Sequence, residues 1–172
     1  ISGYATGSHT FYVRAVDKWG NTSSAGFHNF YIDHTNPNPP VVNEDHCGGS
    51  HTGWPSWTTH DSPYFTWSDP GDAGSGIAGY EVQVNDGSWS NVSSGWHPTY
   101  SSGSHTFDFI SMDNVGNKSS EYRIYVRIDV DSPDNPDICT DEGSTDGQWT
   151  HDNDPDFEWS GASDEHSGIG VY

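Results

Sequence analysis

Short runs of alternating hydrophobic and polar residues, separated by turn residues, cover much of the chain. In residues 122–128 every second side chain is hydrophobic, and residues 64–68 and 80–85 follow the same period of two. That period places alternate side chains on opposite faces of a strand, so each run predicts a strand with one buried face. The chain is therefore predicted to be all-β.

Turn residues connect the predicted strands. Asp86-Gly87 lies between two alternating runs and predicts a two-residue hairpin turn. Residues 113–117 predict a Gly/Asn turn between the run at 105–112 and the last strand. With further short strands near residues 40–43 and 99–101, the segment 38–133 is expected to contain about seven strands, the number typical of a β-sandwich.

The chain also repeats itself. Gly7-Ser-His-Thr-Phe11 recurs as Gly103-Ser-His-Thr-Phe107, 96 residues later. Further on, an alignment that places Cys47 on Cys139 and Trp67 on Trp159 has an offset of 92, so four residues are expected to be lost near 133–139. On this basis residues 1–37 match the C-terminal half of a unit, 38–133 form a complete unit, and 134–172 match the N-terminal half of the next.

Two explanations of the half units remain open. The sequence can be a window on a longer array, or the halves can complete each other between neighbouring copies by strand addition. The second explanation is disfavoured, because the two halves together lack counterparts of residues 81–96.

The motifs of the complete unit resemble known repeats. Trp67 and Tyr80 on the second and third predicted strands, followed by Gly-x-His-Thr-Phe and Asp-x-x-Gly-Asn-x-Ser, resemble fibronectin type III and Ig-like repeats of bacterial or archaeal cell-surface proteins. The resemblance implies tandem seven-stranded sandwiches with an architectural role, but no particular ligand. Phe107, where such domains often carry Tyr, and the long segment 46–61 depart from the pattern.

Charge narrows the choice of partners. The chain has 25 Asp and Glu against 5 Lys and Arg, a formal net charge of −20. Nucleic acid and anionic membrane surfaces are disfavoured, because both are bound through Lys and Arg. No apolar run approaches the roughly 18 residues of a membrane span, so no membrane insertion is expected in this window. The expected location is extracellular, at a cell surface.

The acidic residues concentrate where one sandwich would meet the next. Ca²⁺ takes six to eight oxygen ligands, so carboxylates from a linker and two loops suit it. We therefore expect Ca²⁺ sites that stiffen the joints, with solvated turn residues as the alternative. The candidate ligands are Asp33, Asp45, Asp69, Asp72, Asp113, Asp129, Asp131, Asp134, Asp137 and Asp164.

The cysteines allow two interpretations. Cys47 and Cys139 are each either a lone buried thiol or half of an interchain disulfide, since equivalent points in successive sandwiches are too far apart to bond to each other. A transition-metal site formed by His46, Cys47, His51 and His60 is disfavoured, because the next repeat does not reproduce it. Glycosylation triplets begin at Asn21, Asn91 and Asn117.

Other functions find less support. Trp54, Trp57, Trp89 and Trp96 fall outside the clear inward positions; they either stack on sugars or form a satellite cluster over the long loop, and the cluster is favoured. No nucleophile elbow, metal helix or phosphate loop is present, so no enzyme is predicted. The leading hypothesis is a structural extracellular repeat protein that assembles with other copies into a fibre, stalk, sheath or surface lattice. The alternatives are an adhesin or carbohydrate-binding module that binds glycans, and spacer repeats of a large secreted enzyme.

Overall fold

A computed structural model of the chain describes residues 3–140, 154 and 156–171. The described residues form ten strands and no helix, and every strand pair is antiparallel. The all-β prediction is therefore confirmed. None of the described segments is a helix of the length and hydrophobicity needed to cross a membrane.

The strands form four sheets. Their bounds are β1 Gly7–Val13, β2 Gly26–Ile32, β3 Asn43–Glu44, β4 Phe65–Thr66, β5 Ile77–Val84, β6 Ser90–Val92, β7 Gly103–Asp113, β8 Tyr122–Ile128, β9 Asp137–Thr140 and β10 Phe157–Ser160. Pairs β1–β2, β3–β4 and β9–β10 are two-stranded, whereas β6-β5-β7-β8 is a four-stranded sheet.

The core of the complete unit, residues 38–133, lies between β3–β4 and one face of the four-stranded sheet. Phe65 of β4 packs against Phe107 and Phe109 of β7, with ring centroids 4.7 and 5.2 Å apart. All three rings are fully buried. Trp67 adds contacts to Tyr80 and Phe109 from the end of β4. The alternation predicted for β8 is confirmed, because Ile124, Val126 and Ile128 are buried on the same core, whereas β7 is buried on both faces between Phe107 and Ser111.

The complete unit departs from the predicted strand list at two places, and at the first of them the strand expected near residues 40–43 is β3, Asn43–Glu44. Residues 99–101 are not a strand; instead Trp96 forms a single bridge to Phe65, whose N–H donates to the Trp96 carbonyl at 2.9 Å. Pro98, two residues later, has no N–H to continue a ladder. The ring of Trp96 stacks on Phe65 at 5.5 Å and joins the core from this bridge.

The hairpin between β5 and β6 turns one residue earlier than predicted. Asn85 and Asp86 have positive φ values of 50° and 55°, and the N–H of Gly87 donates to the Val84 carbonyl at 2.9 Å. A turn of type I′ needs positive φ at both central residues, and Asn and Asp tolerate it. The central pair is therefore Asn85-Asp86, not Asp86-Gly87.

The two copies of the Gly-Ser-His-Thr-Phe motif lie in hairpins whose strands pair in the same register. Gly7 pairs with Ile32 in β1–β2, and Gly103 pairs with Ile128 in β7–β8, so both hairpins share one register at an offset of 96.

The third segment corrects the sequence alignment. Thr140 pairs with Phe157, as Glu44 pairs with Phe65, so the offset of 96 continues to the end of β9. The four lost residues therefore follow Thr140 rather than preceding Cys139. Cys139 corresponds to Asn43, and its alignment with Cys47 is wrong.

Candidate metal centres at the acidic joints

Three carboxylates meet where the segment after β2 reaches the complete unit, a place that we call the first joint. Asp33 follows β2, Asp72 lies in the β4–β5 loop, and Asp113 ends β7. One carboxylate oxygen of each lies within 4.8 Å of the others. The structure thus brings together three of the ten predicted ligands from three separate elements.

Backbone N–H groups hold Asp33 in place. Its Oδ1 accepts a hydrogen bond from the N–H of Thr35 at 2.9 Å, and its Oδ2 accepts one from Ser75 at 2.7 Å. These hydrogen bonds favour the ionised form and lower the pKa of Asp33 to about 2. The bond to Ser75 also ties the linker to the β4–β5 loop.

Asp113 is held by the turn that follows it. Burial alone would raise its pKa, but hydrogen bonds from the side chain and the backbone N–H of Asn117, and from the N–H of Val115, bring the pKa below its ordinary value. The Asn117 amide donates to Asp113 Oδ2 at 2.7 Å and to the Thr35 carbonyl at 3.2 Å. The carboxylate is therefore ionised and anchored to the linker.

In the described part of the chain, Asp72 has one carboxylate oxygen that is hydrogen-bonded and one that is not. Its Oδ2 accepts hydrogen bonds from the N–H groups of Gly74 and Gly76 at 2.9 and 2.8 Å. Its Oδ1 is buried without a hydrogen-bond partner, as is the neighbouring hydroxyl of Ser75. A buried polar atom without a partner costs about 1–3 kcal/mol. Oxygen atoms in this state fit a hard cation.

Among the residues that the structure describes, no basic side chain forms an ion pair with this cluster. The described ion pairs involve Lys118, Arg123 and His166, and none of them reaches Asp33, Asp72 or Asp113. Gly74 lets the loop close on the linker, because a Cβ at this position would overlap the Asp33 carboxylate.

A second joint repeats this arrangement after β8. Asp129 occupies the place of Asp33 and its Oδ2 accepts from the N–H of Ser167 at 3.0 Å. Asp164 occupies the place of Asp72, and N–H groups of residues 166–168 donate to its Oδ1. These bonds, led by that of Gly168, lower the pKa of Asp164. Here the cluster consists of Asp129, Asp131 and His166.

The remaining predicted ligands lie outside both clusters. Asp69 accepts from the N–H of Gly71 in a local turn, as the solvated-turn alternative describes. Asp134 accepts from the Ser163 hydroxyl at 2.8 Å. Asp45 is exposed beside Tyr64, and Asp137 lies near Gly161.

Sequence reasoning missed Glu44, which anchors the long loop 46–61. Its carboxylate accepts hydrogen bonds from four backbone N–H groups at distances of 2.7–3.1 Å. The donors are His46, Cys47, Gly49 and Tyr64. Glu44 is thus a structural residue, and the only signal for it was its place directly before the Gly/His-rich loop.

The four residues His46, Cys47, His51 and His60 are not in either cluster of potential metal ligands that the described residues form. His46 contacts His97 with ring nitrogens 3.2 Å apart, whereas His51 stacks on Tyr122 at 4.1 Å. The Cys47 thiol donates to the His60 carbonyl at 3.1 Å. The side chains of His46, His51 and Cys47 thus contact three different partners.

Cys47 is a buried free thiol, only 3% exposed. The lone buried thiol is therefore the arrangement that the structure shows, and no interchain bridge is proposed for Cys47. Cys139 lies in β9, and its side chain is outside the described residues.

Cys47 should be unreactive in the folded chain. Burial, helped by the negative charges of Glu44 and Asp61, raises its pKa to about 12, and thiols react as thiolates. In a Cys139→Ser background, we expect DTNB at pH 8 to react with Cys47 on the order of 100-fold more slowly than in urea. Because the folded pKa is above the unfolded value, the stabilising effect of the protonated thiol is lost as pH rises from about 9 towards 12. Equal rates in buffer and in urea would contradict this burial.

The Trp residues of the loop have a structural partner. The Arg127 guanidinium lies over the rings of Trp54 and Trp57 at 5.3 and 5.5 Å. The loop also pairs with β8, because the N–H and C=O of Ser50 both bond to Tyr125. Trp89 is half-buried. Trp54 and Trp57 thus form a small cluster over the long loop, as favoured from the sequence, whereas Trp96 packs against the core.

The glycosylation triplets differ in access. Asn91 is exposed on β6. The amides of Asn21 and Asn117 are hydrogen-bonded to Asp17 and Asp113 in equivalent turns. Modification of Asn117 would remove a bond of the first joint.

Comparison with known proteins gives no further information on this site. No protein-family model matches the chain, and no curated protein sequence matches it.

Proposed function

We propose that this chain is a non-catalytic segment of an extracellular structural protein, made of tandem Ig-like or fibronectin III-like sandwiches in an extended fibre, stalk or sheath. The packing of β3–β4 on the four-stranded sheet supports the sandwich fold. The shared register of β1–β2 and β7–β8 supports the tandem array. The net charge of −20 keeps such an array soluble and apart from nucleic acid.

We propose further that the first joint binds Ca²⁺. The observation that carries this proposal is the buried, unpartnered Oδ1 of Asp72 beside the carboxylates of Asp33 and Asp113. These three residues would hold the ion, and the buried Ser75 hydroxyl, which has no hydrogen-bond partner among the described residues, is a further candidate ligand. A bound Ca²⁺ would neutralise the negative charge of the three carboxylates.

The site would act mechanically. Its ligands come from the segment after β2, from the β4–β5 loop and from the end of β7, so one ion would connect the linker to two loops of the complete unit. Two hydrogen bonds already join these elements: the Ser75 N–H donates to the Asp33 carboxylate, and the side-chain amide of Asn117 donates to the Thr35 carbonyl. Ca²⁺ would reinforce the same contacts and restrict bending at the joint.

Thermal unfolding with and without Ca²⁺ tests this proposal. We expect Ca²⁺ to raise the melting temperature of the metal-free chain, because an ion that binds only the folded state stabilises it by mass action. In Asp72→Asn the increase should disappear, since the amide keeps an acceptor for Gly74 and Gly76 but loses the charge.

Asp69→Asn is the matched control, because Asp69 lies in the same loop and makes only a local turn. It should keep the full response to Ca²⁺. If the wild-type chain melts at the same temperature with Ca²⁺ and with EDTA, the calcium proposal is wrong.

The carbohydrate-binding alternative gains less from the structure. Its strongest candidates, Trp54 and Trp57, share the guanidinium of Arg127, which occupies ring surface that a sugar would need. Binding on a glycan array that is lost in Trp54→Ala would favour that alternative over a purely structural role.

A further inference from the structure

The second joint differs from the first in its donor atoms. The first cluster contains only carboxylate oxygens, whereas the second combines Asp129 and Asp131 with the imidazole of His166. Asp129 is only 6% exposed. The Nδ1 atom of His166 lies 3.8 Å from Asp131 Oδ2, beyond hydrogen-bond distance.

The difference arises at two positions of an otherwise repeated framework. His166 stands where the first joint has Gly74, and Asp131 stands where it has Thr35. A Cβ at Gly74 would overlap the carboxylate of Asp33.

The second joint accommodates that Cβ by a looser fit. The bond from Ser167 to Asp129 is 3.0 Å, against 2.7 Å from Ser75 to Asp33. The bond from the following linker N–H is likewise longer, 3.3 Å at Asp131 against 2.9 Å at Thr35. His166 and Asp131 thus change the donor atoms of the site, while the backbone N–H groups of Ser167 and Asp131 still donate to the Asp129 carboxylate.

Within the described residues, the Nδ1 atom of the His166 imidazole is buried and has no hydrogen-bond partner. Asp131 Oδ2 lies 3.8 Å from this nitrogen, and one ligand atom each of Asp129, Asp131 and His166 lies within 4.8 Å of the others. A cation between the three groups satisfies all of them. The ring of Trp57 packs against His166 edge-to-face at 5.4 Å and holds the imidazole at the cluster.

We propose that the second joint binds a divalent transition-metal ion of the Zn²⁺ class, through Asp129, Asp131 and Nδ1 of His166. Imidazole with carboxylates suits Zn²⁺, whereas Ca²⁺ takes oxygen ligands. Bonds of about 2.0–2.2 Å place the donors of a tetrahedral site about 3.4 Å apart, close to the 3.8 Å between Asp131 and His166. The proposal rests on the cation-binding role of the joints, but not on Ca²⁺ at the first.

Calorimetric titration of the metal-free chain with ZnCl₂ tests this site. We expect a saturable site whose affinity falls on the order of 100-fold or more in His166→Gln, because the glutamine keeps the backbone bonds to Asp164 and removes the imidazole. His60→Gln is the matched control: it removes an exposed histidine of the complete unit and should leave Zn²⁺ binding unchanged.

Co²⁺ in place of Zn²⁺ gives a second measurement. We expect visible absorption bands of a low-symmetry Co²⁺ complex in the wild-type chain and in His60→Gln, and their loss in His166→Gln. Equal Zn²⁺ affinity in His166→Gln and the wild type, or a titration without a saturable site, would overturn the proposal. If the Zn²⁺ site is not found but Ca²⁺ still raises the melting temperature, the calcium proposal for the first joint remains valid. The two proposals can therefore fail independently.

Discussion

Replacing Arg123 with methionine should lower the free energy of unfolding of the complete unit by about 3 kcal/mol. Asp108 is fully buried, and Arg123 contacts it through Nε and a terminal nitrogen at 2.6 and 2.7 Å. These hydrogen bonds, and the charge of Asp108, raise the pKa of Arg123 above its ordinary value. Methionine retains the aliphatic packing but leaves a buried carboxylate without its counter-charge. Urea unfolding followed by tryptophan fluorescence measures the loss.

Two controls make this result specific. Lys118→Met removes the more exposed ion pair with Glu81, which should contribute less than about 1 kcal/mol. Adding Asp108→Leu to Arg123→Met should recover much of the lost stability, because the unpaired charge is then removed. A loss in Arg123→Met no larger than that in Lys118→Met would show that Asp108 does not depend on its partner.

Replacing Glu44 with alanine should destabilise the complete unit by a similar amount, about 3 kcal/mol or more. A hydrogen bond to a charged group contributes roughly 1.5–3 kcal/mol, and four backbone N–H groups lose their acceptor together. The loss should be accompanied by exposure of Cys47, since the Glu44 carboxylate holds the loop that buries this thiol. Urea unfolding and DTNB labelling measure the two effects.

Asp45→Ala is the matched control for Glu44. Asp45 is the adjacent acid, is exposed and bonds to Tyr64 through its backbone alone. It should leave both stability and thiol reactivity nearly unchanged. A Glu44→Ala chain with wild-type stability and a protected thiol would show that packing, not the carboxylate, holds the loop.

The alternation of hydrophobic and polar residues predicted a strand well where the strand is long and regular. The alternation in β8 identified Ile124 and Val126 as inward-facing, and both are buried. The period of two is a property of the extended backbone itself, so it can be recognised in the sequence.

Alignment of identical residue types was less reliable than strand register. Matching Cys47 with Cys139 put the four-residue loss before β9, whereas the pairing of Thr140 with Phe157 puts it afterwards. Trp96 was missed as a core residue for a related reason. It reaches Phe65 from a single bridge outside any strand, so no periodicity identifies it.

The sequence by itself determined the all-β class, the repeated hairpins and the concentration of acidic residues near the joints, because backbone periodicity and composition are local properties. Only the tertiary structure decided which acids meet. It selected Asp33, Asp72 and Asp113 for one cluster, placed His166 with Asp129 and Asp131 in the other, and assigned Glu44 to the backbone of a loop. Residues from three elements, up to about 80 positions apart, come within a few ångströms only when turns and strand registers are fixed, and such distances leave no mark on the sequence.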